Sequence, residues 1–426
     1  MSAPLAAPAP LQLIDGKLVP GGSGATYPIL NPANGAEIGQ APDGTAADVD
    51  AAIAAARRAF DETDWSTDVE LRVRCLRQLH QALLDNADDF RALTRAEVGM
   101  PDFMMGAAGF DMPVAGLEWV ADLAESYEYE TDLGVAAPMG IKSRRTVRRE
   151  AVGVVAAITP WNVPNQINLA KIAPALAAGC TVVLKPAPDT PWVACELGRL
   201  IAEHTDIPAG VFNVVTPLSN EVAAVLSTDP RVDMVSFTGS TATGRAIMAA
   251  AAPTLKKVFL ELGGKSAAIA LDDADVASVA GATAFAACIH AGQGCAITTR
   301  LVVPRAKYDE AVQVAAATME SIGAKDPSDP GAICGPVISQ VQRDRVEEYL
   351  KLAIEEGGTF ATGGSVIDQD GFWIQPTVVA GLDNSSRLAQ EEIFGPVLVV
   401  IAHDGDDDAV RIANDSAFGL SGSVDS

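Results

Sequence analysis

Ala151-Val152-Gly153-Val154-Val155-Ala156-Ala157-Ile158 is followed by the turn Thr159-Pro160-Trp161-Asn162-Val163-Pro164, a helical stretch at 167–178 and the short apolar run Thr181-Val182-Val183-Leu184. An apolar run, a proline-fixed turn, a helix and a second apolar run make one β-α-β unit. The pattern then repeats. Strand-like runs fall at 211–215, 234–237 and 258–261, and helical stretches at 192–204, 221–227 and 242–251. Such alternation predicts an α/β fold with a doubly wound, mostly parallel sheet of the nucleotide-binding kind. After Gly264 a second α/β unit begins, with a strand at 267–271, a helix at 274–290, a loop and a strand at 299–303.

Upstream, residues 1–26 read as a loose arm with one short hairpin around Ile14-Asp15-Gly16-Lys17. Thr45 with Asp48 three residues on is a capping-box start. Val49, Ile53, Ala56 and Phe60 then recur at helical spacing, and helical patterns continue over 69–98 and 110–127. Residues 40–128 are thus a helical prelude to the sheet. Lys142-Ser143-Arg144-Arg145-Thr146-Val147-Arg148-Arg149-Glu150 is different: extended, polar and basic. Two readings stand. It is a solvated edge strand whose charges deter aggregation, or an arm that meets the acidic surface of a second subunit.

The chain has 30 basic and 55 acidic residues, a net charge of −25, over 426 residues. A surface that acidic repels nucleic acid and anionic lipid. At 49% apolar and 20% charged, the composition supports a large core. Six scattered cysteines and four scattered histidines match no zinc pattern, so no metal is expected. The N-terminus lacks the basic segment of a secretory signal, and no apolar run reaches the roughly 18 residues of a membrane span. A soluble, cytoplasmic protein with reduced thiols is expected.

Several residues at strand ends could carry chemistry. Gly239 and Ser240 in Phe237-Thr238-Gly239-Ser240 sit where a strand turns into a helix, so free N–H groups could meet a phosphate there; a tight turn is the plainer reading. The spacing is not G-x-G-x-x-G. A P-loop is excluded too, because Arg245-Ala246 stands where Lys-Ser/Thr is needed and Phe259 stands where Gly264-Lys265-Ser266 needs its first glycine. Asn162 is either turn chemistry or an oxyanion donor. Lys185 ends the second strand and is either solvated or a contact for cofactor hydroxyls or phosphate. Glu261 is either a capping or ion-paired acid or a general base. Cys295, in Gly292-Gln293-Gly294-Cys295-Ala296-Ile297, is either a buried small hydrophobe or an accessible thiol between small neighbours.

In this order these motifs, with Leu184-Lys185-Pro186, Glu261-Leu262-Gly263-Gly264-Lys265-Ser266 and Glu391-Glu392-Ile393-Phe394-Gly395-Pro396-Val397, resemble the aldehyde dehydrogenase superfamily from about Ile14 onward. The resemblance implies an NAD(P)-dependent oxidation of an aldehyde to a carboxylic acid of the hydrolytic type. Cys295 would be the nucleophile, passing through a thiohemiacetal and a thioester. Asn162 and the Cys295 N–H would stabilise the oxyanion, Glu261 would activate water, and Lys171 would belong to a proton relay. Thr159, Pro160, Trp161, Lys185, Gly239, Ser240 and Leu262 match cofactor contacts, with Glu392 at the nicotinamide ribose and Phe394 beside the ring. The implied organisation is a cofactor-binding domain over 1–130 and 151–263, an oligomerisation arm at 131–150, and a catalytic domain over 264–426. A homodimer or homotetramer is implied.

Two departures from the family pattern stand out. Many NAD-preferring members carry a glutamate three residues after the lysine; here that residue is Pro188, followed by Asp189. NAD is expected and NADP is the alternative. Similar proteins also continue for several tens of residues beyond the equivalent of Ser426, with a segment that lines part of the substrate tunnel and adds an intersubunit strand. Val163, Gln166 and Ala170 are expected to line the tunnel and leave room for a bulky or branched aldehyde. The competing function is a binding or structural protein that keeps the fold without catalysis, against which Cys295, Glu261 and Asn162 together argue. An esterase would leave the Phe394 motif idle, and Glu261 suits water rather than coenzyme A as the acyl acceptor.

Overall fold

The computed structural model describes residues 7–426; the first six residues of the N-terminal arm lie outside them. Two sheets organise the chain. The first has seven strands in the order Lys257–Glu261, Met234–Thr238, Val154–Ile158, Thr181–Lys185, Phe212–Val214, Gln12–Ile14 and Lys17–Val19. The first five are parallel, and the predicted hairpin closes the far edge antiparallel. Val154–Ile158 and Thr181–Lys185 are almost wholly buried, which is why they read as unbroken apolar runs rather than alternating ones.

From Val154–Ile158 the chain winds outward through Thr181–Lys185 to Phe212–Val214. It then returns to the other side of the starting strand at Met234–Thr238. The strand order reverses between Val154–Ile158 and Met234–Thr238, and ligands of doubly wound sheets bind beyond the carboxyl ends at such a point. Helices Pro164–Ala177 and Trp192–His204 cover one face, backed by Val69–Asp85 and Asp111–Ser126. Ala46–Glu62, Asn220–Thr228 and Thr241–Ala251 cover the other. The Thr45–Asp48 capping box is present at the start of Ala46–Glu62, the kind of cap worth about 1 kcal/mol.

Two sequence boundaries are corrected. The first strand begins at Val154 rather than at 151. Gly153 has φ +129 and passes against the Asp233 carboxylate, which accepts from the Val154 N–H at 2.7 Å. A Cβ at Gly153 would overlap that carboxylate, so the chain is anchored there before it joins the sheet. The helical pattern over 69–98 is two helices, Val69–Asp85 and Ala87–Val98. Asn86, at φ −111 and ψ 19, breaks the run and donates its side-chain amide to the Ala82 carbonyl at 2.8 Å.

The second sheet has six strands in the order Thr359–Thr362, Thr377–Ala380, Val397–His403, Thr298–Pro304, Ser266–Ala270 and Gly422–Asp425. All neighbours are parallel except the first pair. Val276–Cys288 and Tyr308–Ile322 pack on it around a continuous apolar core. The basic segment forms strand Ser143–Arg148, paired antiparallel with Glu130–Ala136 in a separate two-stranded ribbon. Arg144 bonds Asp132 across the ribbon at 2.7 Å. Leu133, Val135, Met139 and Ile141 are exposed on it.

Candidate active site

Four backbone segments converge at the reversal point. Asn162 follows Val154–Ile158, Gly239 and Ser240 follow Met234–Thr238, and Glu261 ends the edge strand. Cys295 comes from the second α/β unit, where helix Val276–Cys288 stops two residues short of the expected His290. The chain there turns sharply: His290, Ala291 and Gly292 have φ of +51, +53 and +70. Gly292 has no tolerable substitute, because a Cβ would enter the Gly395 backbone. The turn therefore locks the Cys295 loop against the Phe394-Gly395-Pro396 segment.

Cys295 is half-buried, whereas the other five cysteines are buried. Burial pushes its thiol above the ordinary value, and the nearby Glu261 charge adds to this. The N–H groups of Ala296 and of Cys295 itself pull in the opposite direction. Asn162 is buried, and its amide donates to the Gln293 carbonyl at 2.8 Å. An amide has two N–H donors, so one hydrogen remains for the cavity that Asn162 lines.

Lys171, on helix Pro164–Ala177, is near enough to Glu261 to feel its charge. Its Nζ donates to Ser236 Oγ at 3.1 Å and sits 5.7 Å from the centre of the Phe259 ring. Burial lowers the ammonium to about 8, opposed by the Glu261 charge. Lys185 is likewise buried; its Nζ donates to the Pro186 carbonyl at 2.9 Å, and burial brings it to about 8 against the pull of Asp189. Ser240 caps helix Thr241–Ala251 by accepting from the Thr243 N–H at 3.2 Å. Glu392 accepts from the Gly264 N–H at 3.0 Å, and burial raises its carboxyl. The bare Gly263 makes room for it: a Cβ there would meet the Glu392 carboxylate. Trp161 and Phe394 stand edge to face, with ring centres 5.3 Å apart.

Two adjoining cavities result. One, of 290 Å³, is lined by Asn162, Glu261, Leu262, Cys295, Glu392 and Phe394 among others. The second, of 850 Å³, runs over the strand ends and carries Thr159, Lys185, Ala187 and Pro188. Pro160, Trp161 and Gly239 line both, and Ser240 lines the smaller. The expected catalytic and cofactor residues thus gather along one cleft, with Lys171 near Glu261. Val163, Gln166 and Ala170, expected to line the substrate tunnel, line neither cavity; Ile167 of the same stretch lines the smaller one instead, because Gln166 and Ala170 lie on the exposed face of helix Pro164–Ala177. The sequence reading also missed Gln342 and Arg345, wall residues on helix Gln340–Glu355. Gln342 donates to the Phe394 carbonyl at 2.7 Å, and Arg345 to the Glu392 carbonyl at 2.6 Å. Both read in sequence as ordinary polar residues of an amphipathic helix, and no motif marks them.

Comparison with known proteins identifies the family. The family model described as the aldehyde dehydrogenase family matches residues 19–426. Geranial dehydrogenase of Castellaniella defragrans is 40% identical, over 93% of this chain and 82% of its own length. A Mycobacterium tuberculosis aldehyde dehydrogenase solved with NAD+ superposes with a TM-score of 0.93 at 41% identity, over 98% of this chain and 86% of the other. A mutant of aldehyde dehydrogenase C of Pseudomonas syringae, solved with NAD+ and octanal, superposes with a TM-score of 0.91 at 36% identity, over 97% of this chain and 84% of the other. The chain belongs to the aldehyde dehydrogenase family, as an NAD(P)-dependent enzyme that oxidises an aldehyde to a carboxylic acid through a cysteine thiohemiacetal and thioester.

Proposed function

We propose that Cys295, Asn162 and Glu261 perform this oxidation. The observation that carries the reading is that these three residues, from separate segments, line one cavity of 290 Å³. The Cys295 thiol first gives its proton to solvent; the thiolate sulfur then adds to the aldehyde carbon, and the carbonyl electron pair moves to oxygen. The free amide hydrogen of Asn162 and the Cys295 N–H bond that oxygen. Bound NAD(P)+ supplies the hydride acceptor, which leaves the acyl group as a thioester on Cys295. Glu261 takes a proton from water as the water oxygen attacks the thioester, and the thiolate leaves. Lys171 and Ser236 lie behind Glu261 and offer the proton a way out.

The residues of the cleft fit a dinucleotide. The larger cavity has mostly apolar walls, one helix N-terminus and Lys185; the smaller has two carboxylates, Glu261 and Glu392, and an aromatic pair. A cationic nicotinamide suits the smaller cavity and an adenosine the larger. Lys185 is the only cation among the described residues lining the larger cavity. A 2′-phosphate would add a charge of roughly −1.5 to −2 with no arginine to meet it, so NAD+ is preferred to NADP+.

An apolar cluster of Val98, Met100, Met104 and Met105 packs against Val163 and Ile289, the neighbours of Asn162 and His290. Methionines adapt to irregular apolar shapes. The cavity that holds Cys295 is itself walled by Trp161, Ile167, Leu262 and Phe394, which suits an apolar aldehyde such as octanal or geranial. Residues 1–130 with 151–263 form the cofactor-binding unit, 131–150 the arm and 264–426 the catalytic unit. The exposed apolar residues of the arm fit a homo-oligomer, and the six free thiols fit the cytoplasm. The test is nucleotide reduction by the purified protein with octanal, geranial or betaine aldehyde, and with NAD+ or NADP+. Reduction with octanal and NAD+ supports the reading. Equal efficiency with NADP+, or a preference for the cationic aldehyde, would overturn the corresponding part.

A further inference from the structure

Asn162 is gripped from two sides by one turn. Its amide donates to the Gln293 carbonyl at 2.8 Å, and its own backbone carbonyl lies 2.8 Å from His290 Nε2. Gln293 Nε2 returns to the His290 carbonyl at 3.1 Å, and Gln293 Oε1 accepts from the Ile338 N–H at 2.9 Å. The three residues form a closed, buried ring of hydrogen bonds. A carbonyl only accepts, so His290 Nε2 must carry a proton. His290 Nδ1 is buried without a partner, and a second proton there would be an orphaned donor. The ring is therefore the neutral Nε2–H tautomer, and burial indeed pushes it down to about 4.

The backbone is bent to achieve this. His290 and Ala291 both hold positive φ, +51 and +53, a region non-glycine residues occupy at a cost. The result is a buried ring directed back at the strand-end loop of the cofactor-binding unit. A histidine that merely filled core volume would not need its Nε2 on the carbonyl of the one residue whose amide faces the nucleophile's cavity.

We infer that His290 is a positioning residue for the oxidation: as an Nε2–H donor it fixes the Asn162 backbone, so that the free Asn162 amide hydrogen stays directed at the oxygen that becomes charged when Cys295 adds to the aldehyde. This rests on the reading of Asn162 given above. The ring touches no substrate and acts only through Asn162.

The test uses the full chain, octanal and NAD+, with the single-turnover acylation rate as the main readout. His290→Phe keeps the volume and removes the donor; His290→Gln keeps a donor near the Nε2 position. His290→Phe is expected to slow acylation about tenfold to a hundredfold, the scale of a small misplacement, with KM for NAD+ and the melting temperature nearly unchanged. His290→Gln is expected to recover most of the rate. A wild-type rate in His290→Phe while Asn162→Ala is slow would overturn the positioning role and leave the Asn162 reading standing. A fast Asn162→Ala would overturn the Asn162 reading itself. Equal loss in both His290 variants, with lost NAD+ binding and stability, would make the residue structural only. A readout independent of activity is nitrogen-15 NMR of labelled histidine. With four histidines in the chain, the signal missing from His290→Phe identifies the ring. It should show the Nε2–H tautomer without titrating from about pH 6 to about 8; an Nδ1–H or a doubly protonated ring would overturn the inference.

Discussion

The Asn162 side chain donates to the carbonyl of Gln293, two residues before Cys295, at 2.8 Å. That bond crosses from the nucleotide-binding sheet to the loop of the second unit. It fixes how the remaining amide hydrogen faces the cavity, and it ties the proposed oxyanion donor to the turn that carries Cys295. Asn162→Ala removes the donor and is expected to lower kcat about 10²–10³-fold, with a smaller change in KM. Asn162→Asp is expected to be worse, because it sets a carboxylate against the Gln293 carbonyl and adds a further negative charge near the sulfur, beside those of Glu261 and Glu392. Steady-state kinetics on both variants checks the order.

Glu261→Gln should act on the two halves of the reaction with opposite signs. Burial first and the Glu261 charge second raise the Cys295 thiol. Removing that charge lowers the thiol toward its ordinary value, so more thiolate is present at neutral pH. Alkylation of Cys295 by iodoacetamide should therefore speed up, and the pH at half-maximal rate should fall. Cys295 is the one cysteine that is not buried, which keeps the reagent selective. Turnover should nevertheless stall after one burst of nucleotide reduction, because no base remains to activate water. A variant that loses the burst as well as the turnover would place Glu261 in acylation instead.

Much of this was legible in the sequence, for identifiable reasons. Strands buried on both faces must be apolar throughout, so Val154–Ile158 and Thr181–Lys185 announced themselves, and the proline-fixed turn after the first marked the ligand end of the sheet. Residues that act through chain termini of elements were readable because strand ends are. Residues that act through tertiary contact were not. Asp233 caps a strand 79 positions away, and Gln342 and Arg345 clasp backbone carbonyls 52 and 47 positions away. The helix over 274–290 was expected to run through His290, because helical propensity carries no sign that the Gly395 backbone forces a left-handed turn there.

The proposed contact of Lys185 with the cofactor predicts an affinity that depends on pH. Burial lowers its ammonium to about 8, so its charge fades as pH rises through that value. Affinity for NAD+ should be flat below about pH 7 and fall above about pH 8, as a charge-assisted contact becomes a neutral one. Lys185→Gln should lack that decline and bind about tenfold to a hundredfold more weakly below about pH 7, the equivalent of one hydrogen bond to a charged group, with the two curves drawing together above about pH 8. Fluorescence titration of NAD+ across pH separates the two curves. A decline that persists in Lys185→Gln would assign the titration to another group.

Glu97 makes fold stability depend on pH in the opposite sense to most carboxylates. It is fully buried, and its oxygens accept from the Trp192 and Val193 N–H groups, each at 3.0 Å, at the start of helix Trp192–His204. Desolvation outweighs those two bonds and raises the carboxyl from 4.5 to about 8. Between those values the folded state holds a proton that the unfolded state has released, so stability falls as pH rises from about 4.5 to about 8. Above about 8 both states are ionised and the slope vanishes. Glu97→Ala should be less stable than the parent at acid pH, since it orphans two buried N–H donors at about 1–3 kcal/mol each; the part of the slope due to this residue should disappear, so the gap narrows as pH rises toward about 8. Denaturant melts of both proteins across that range test it. A slope as steep in Glu97→Ala as in the parent would show that Glu97 is ionised in the fold and that its two bonds outweigh burial.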